Sequence, residues 1–159
     1  MFGPVLIATL LAVPAAPPVG LVGRAEKTDL RRSDGSAVSR VERNTAGDPT
    51  GLLLNDMQLT PAEVADFGRL PELRRVVLFR TNVGDGDLKH LAKCPHLEGL
   101  NLVGTGVTDE AVPALLELKA LKYLCLGDVR MSPEAVAKLK EGFRARGQSV
   151  RVGYSRRKE

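Results

Sequence analysis

Tryptophan is absent from this 159-residue sequence, and two Tyr and four Phe are its only aromatics. So few rings exclude a stacking platform for single-stranded nucleic acid, which needs successive aromatic faces. Two Cys cannot build a disulfide-dense scaffold, and two His leave little material for a metal centre. What is present is 43% hydrophobic and 26% charged residues. That balance is too apolar for a wholly disordered chain, and the length suits one domain.

The net charge of +4 is unevenly placed. Residues 24–48 carry six Lys/Arg against five Asp/Glu, and residues 49–144 carry twelve against thirteen. Residues 145–159 carry five against one. The basic character therefore belongs to the C-terminal tail and not to a domain face. A nucleic acid or an anionic surface would be read by that tail if at all, and a solvated terminus is the simpler reading.

Residues 1–23 carry no charged side chain. Val5 to Val13 is a short apolar run, and Val13-Pro14-Ala15 places small or modest residues where a signal peptidase would cut after Ala15. Lys and Arg are missing ahead of the run. A membrane span needs ~20 apolar residues, and Pro14, Pro17 and Pro18 interrupt this one. The expectation is a leader or signal peptide over 1–23 on an exported (periplasmic or secreted) protein, or a cytoplasmic protein if the leader is not a signal. Residues 24–37 read as a polar spacer.

A repeat dominates the rest. Blocks of 24 residues start at Pro49, Leu73, Leu97 and Leu121 without insertions. Their fourth positions are Leu52, Val76, Leu100 and Leu124, and their sixth are Leu54, Leu78, Leu102 and Leu126. Alternation at four and six is strand periodicity. Positions sixteen, nineteen and twenty-two are apolar in most blocks (Leu88, Leu91 and Cys94 in the second), a spacing that lies on one helix face. Helix starts fall between the two patterns. Thr60-Pro61-Ala62-Glu63 is a capping box with Pro at the first helical position, and Thr108-Asp109-Glu110 and Ser132-Pro133-Glu134 share its register. Each block thus predicts a short strand, a turn and a helix of two to three turns.

One such unit cannot bury its apolar stripe alone, but stacked units can. Strands pack ~5 Å apart and helices ~8–10 Å, so the stack should curve with the strands inside. The expected fold class is α/β, a curved parallel sheet with helices on the convex side. About four repeats (49–72, 73–96, 97–120, 121–144) would lie between a capping strand and turn over 38–48 and a capping strand and basic tail over 145–159. Val38 to Arg43 is the first cap strand, Ser149 to Gly153 the last, and Arg156 to Glu159 should fray.

Leu97-x-x-Leu100-x-Leu102-x-x-Thr105-x-Val107-Thr108-Asp109 resembles the leucine-rich repeat. The L-x-x-L-x-L stem recurs at 73 and 121 and more loosely at 49. The V-T-D helix start is similar to the cysteine-containing subclass and to short bacterial leucine-rich proteins. The resemblance covers residues 49–144 and departs at the ninth position, where Met57, Thr81, Thr105 and Val129 replace the family's Asn or Cys. It implies a solenoid fold.

No residue cluster suggests catalysis. His90, Cys94 and His96 match no zinc spacing, and Cys94 fills an apolar slot. Cys125 points outward with no His on its face, and the unlike slots of the two Cys argue against a disulfide. Asp85-Gly86-Asp87 lacks the remaining ligands of a calcium loop, and Gly104-Thr105-Gly106 lacks the end of a phosphate loop. No cofactor, metal or small-molecule substrate is expected. The outward strand positions are informative instead. Leu53, Val77, Phe79, Val103 and Tyr123 stand there beside Arg75 and Asn101. Aromatics with Arg are enriched at interface cores, and an apolar patch with a polar rim suggests contact. These seven residues are the candidate partner-binding set, and the expected partner is a protein. The second reading is a structural or envelope-associated protein whose basic tail makes a weak contact with a membrane or anionic polymer.

Overall fold

Residues 40–156 are described by the structure, a computed structural model. The leader and spacer readings, and residues 157–159 of the tail, lie outside them. The described residues are α/β, with a six-stranded sheet and four helices. The strands are β1 (Arg40–Arg43), β2 (Pro49–Leu53), β3 (Arg75–Val77), β4 (Gly99–Asn101), β5 (Tyr123–Val129) and β6 (Arg151–Arg156). They lie in chain order across the sheet. β1 and β2 form an antiparallel hairpin, and every later pairing is parallel. Short strands separated by helical segments leave no other short route between neighbours.

The register carries the periodicity into three dimensions. Leu52 faces Val76, Val76 faces Leu100, and Leu100 faces Leu124, which faces Val152. From β2 to β5 each partner is 24 residues further along. The sixth-position leucines Leu54, Leu78, Leu102 and Leu126 are fully buried. They join Phe67, Leu91, Leu115 and Leu139 from the helices in one core cluster. This cluster lies between the sheet and α1 (Pro61–Phe67), α2 (Leu88–Leu91), α3 (Val112–Leu116) and α4 (Pro133–Ala145).

α1 has the expected two turns, and the other helices differ. α2 and α3 are single turns, each entered through a 3-10 turn, Asp85–Asp87 and Asp109–Ala111. The 3-10 turns take up the residues that form the first turn of α1 in its block, and Pro95 follows α2 where a longer helix would need a backbone donor. α4 is longer than expected and runs past Gly142. The leucine slot there is empty because Leu116 packs where a Cβ would sit, and Phe143 closes the core instead. Arg156 belongs to β6, opposite Val129, and is not frayed.

Side-chain hydrogen bonds tie unit to unit. Asp85 accepts from the Thr108 N–H at 2.8 Å and its hydroxyl at 2.7 Å. Asp109 does the same for Ser132, at 2.6 and 2.7 Å. Each Asp thus caps the helical start of the following unit. The Ser132 backbone and hydroxyl bonds hold the Asp109 carboxyl below its ordinary range. Its contribution to stability is present above the ordinary carboxylate pKa and is lost as pH falls through the lowered one. Asn82 bridges the N–H and C=O of Leu59 in the same manner, at 2.7 and 2.9 Å. Thr81 and Thr105, both buried, donate their hydroxyls to the carbonyls of Leu78 and Leu102. The capping box at Thr60 and Glu63 is formed.

Candidate functional site

The sheet face turned away from the helices carries rows of outward side chains one strand apart. One row reads Gly51, Arg75, Gly99, Tyr123, Arg151, and the next reads Leu53, Val77, Asn101, Cys125, Gly153. Gly99 leaves a notch between Arg75 and Tyr123. A Cβ there would meet the Arg75 Cγ at an ordinary 3.8 Å, so the space is open. A cavity of about 240 Å³ opens at this notch, lined by Arg75, Val77, Asn101, Tyr123 and Cys125. A second, of about 320 Å³, continues toward the strand starts along Glu42, Arg74 and Glu98 and shares Arg75, Gly99 and Tyr123.

Four of the seven candidate residues, Arg75, Val77, Asn101 and Tyr123, therefore meet in one place. Leu53, Phe79 and Val103 stand outside both cavities. They are half-buried, as is Val77. Tyr123 is the exposed large hydrophobic among the described residues, at 53%. The Arg80 guanidinium sits 4.9 Å from the Phe79 ring centre, and that of Arg151 sits 5.9 Å from the Tyr123 ring. Both are within cation–π range.

Charge is concentrated at the strand starts. Glu98 pairs with Lys122 at 3.1 Å and Arg74 at 3.3 Å. The Lys122 hydrogen bond, more than any other influence, holds the Glu98 carboxyl below its usual range. Arg75 lies 3.7 Å from Glu42, beyond hydrogen-bond reach. The Asn101 side-chain oxygen accepts from the Val103 N–H at 2.9 Å, and its NH2 group is the donor end of the amide. Sequence reasoning missed Arg151, whose distance from Tyr123 along the chain hides their pairing across β5 and β6.

The cysteines are free and unlike. Cys94 is buried, donates to the Phe67 carbonyl, and has its thiol pKa pushed up to about 11 by desolvation. Cys125 is exposed. Iodoacetamide at pH 8 should therefore modify Cys125 within minutes and leave Cys94 untouched until the chain unfolds. Peptide mapping by mass spectrometry checks this, and equal labelling of both would contradict the burial of Cys94. Among the described residues, no group of three or more His, Cys, Asp or Glu could hold a metal ion. No helix among them is long and apolar enough to cross a membrane.

No protein-family model matches the chain, and no curated protein matches it. Solved structures do. One entitled leiomodin-1 actin-binding site 2 superposes with a TM-score of 0.54 at 15% identity, over 67% of this chain and 70% of that one. Another, of PEPR1 with AtPEP1, gives a TM-score of 0.43 at 16% identity, over 73% of this chain and 19% of that one. The first of these is leucine-rich-repeat-like, and at 15% identity its likeness concerns the fold alone.

Proposed function

We propose that the chain is a leucine-rich-repeat solenoid of four 24-residue units with a cap at each end, and that it is a non-catalytic interaction module. It binds a protein partner through the strand face. The likeness to the leiomodin-1 structure supports the fold in this reading, and so does the unbroken 24-residue register from β2 to β5. The observation that carries the function is the notch at Gly99, where an exposed aromatic, an arginine and an amide surround an apolar floor. Tyr and Arg at the centre of a contact supply most of its energy, because each combines large apolar area with directed donors. The apolar run from Val5 to Val13 supports export as part of the same reading.

Tyr123→Ala should weaken partner binding by about 2 kcal/mol, roughly thirtyfold in Kd. Its stability should change little, since the side chain is exposed. The measurement is capture from native extract by the full chain and by the variant, with thermal melting as the control. A folded variant that captures the same protein equally well would remove the site from this face.

A further inference from the structure

Resting on that reading, we propose that the partner segment is an extended acidic peptide, with an Asp or Glu carboxylate seated in the Gly99 notch against Arg75 and the Asn101 NH2. Three observations point there. First, the smaller cavity is lined by the Arg75 guanidinium and the Asn101 amide, which bring donors to it, and by no carboxylate. Among the described residues, Arg75 has the loose 3.7 Å approach of Glu42, the Asn101 amide oxygen accepts from Val103, and no Asp or Glu lines the cavity. A carboxylate supplies the acceptors that are missing, and Arg holds it with a planar fork.

Second, the charge around the notch is unbalanced. Arg74, Arg75, Lys122 and Arg151 face two carboxylates, Glu42 and Glu98. Glu98 is already shared between Arg74 and Lys122, so the excess falls on Arg75 and Arg151, on either side of Gly99. An acidic segment complements it, and a basic one is repelled.

Third, the size is that of a side chain. About 240 Å³ is below the ~300 Å³ at which pockets for whole small molecules begin. The adjoining groove of about 320 Å³ runs on across the strand starts, which suits continuing backbone. Val77 and the Tyr123 ring offer apolar walls to the methylenes of Glu.

The probe is an array of random 12-residue peptides, read with the fluorescently labelled 159-residue protein. Retained peptides should be enriched in Asp and Glu. Binding of the best of them, resynthesised and measured by fluorescence anisotropy, should weaken about tenfold or more in Arg75→Gln. It should weaken similarly in Gly99→Val, which fills the notch at a position where a Cβ fits. Melting curves confirm folding, and Arg75→Gln decides the matter should Gly99→Val not fold. Retention of basic or purely apolar peptides, or of none, overturns the proposal. So does binding of a 12-nucleotide oligothymidylate as tight as the best peptide. If acidic peptides fail while Tyr123→Ala still abolishes capture of the natural partner, the acidic specificity falls and the strand-face reading stands. If acidic peptides bind equally well to Arg75→Gln, Gly99→Val and Tyr123→Ala, both fall.

Discussion

Leu102→Ala should cost about 3–4 kcal/mol and lower the melting temperature by roughly 10–15 °C. Leu102 is fully buried in the centre of the sixth-position column, between Leu78 and Leu126. Its backbone is held on both sides, its N–H donating to Cys125 and its carbonyl accepting the Thr105 hydroxyl. The site therefore cannot collapse around the lost atoms, and the cavity term adds to the transfer term. The neighbouring position supplies the control. Val103 points to the opposite face and is half-buried, so Val103→Ala should cost about 1 kcal/mol or less. The contrast tests the register, because a slip of one residue exchanges the two faces. Urea denaturation of both variants with unchanged m-values gives the comparison. A cost for Val103→Ala equal to that for Leu102→Ala would show the faces to be assigned the wrong way round.

These two residues also show why the core was legible and the face less so. A strand with one buried side writes an alternating pattern, and four aligned copies make it unambiguous at Leu52, Val76, Leu100 and Leu124. The α/β class and the offset of 24 between neighbouring strands follow from that pattern alone. Exposure on the other side depends on neighbours that the linear order does not give. Val77 and Val103 are half-buried because strands about 4.8 Å apart press outward side chains against one another. Val103 fills the space over Gly127, where a Cβ would meet it at 3.1 Å. Phe79 and Tyr123 each have an arginine beside the ring. Asp85 and Asp109 read correctly as helix-start residues, but each also holds the capping residue of the helical segment in the next unit, 23 residues later. The short α2 and α3 were not foreseen, because the apolar spacing of three is the same in a single turn as in a longer helix.

The eighth position of each block is the least legible feature, and it yields the second large effect. Asp56, Arg80 and Asp128 have φ of 51°, 51° and 50°, and Gly104 has 71°. Every unit turns from its strand through one left-handed residue, although Asp, Arg and Gly share no pattern that reveals it. At Arg80 and the two aspartates the conformation costs about 1 kcal/mol, and a β-branched residue suffers more. Position 104 has a further constraint. A Cβ there would lie 2.8 Å from the Arg80 Cγ and 3.4 Å from the Arg80 Cα. The Cα is backbone and cannot swing away, because the Arg80 N–H is bonded to the Val103 carbonyl at 2.8 Å. Gly104→Val should therefore destabilise by about 3–4 kcal/mol, the backbone strain adding to the contact. Arg80→Gly should change stability by less than about 1 kcal/mol. It loses an exposed pair with Asp56 and the approach to Phe79, but it also relieves a left-handed residue. In that background Gly104→Ala should cost about 1 kcal/mol less than in the native chain, since the Arg80 Cγ is gone. Denaturation of the two singles and the double measures this coupling. A Gly104→Val variant within 1 kcal/mol of the native chain would mean that the turn after β4 is not left-handed.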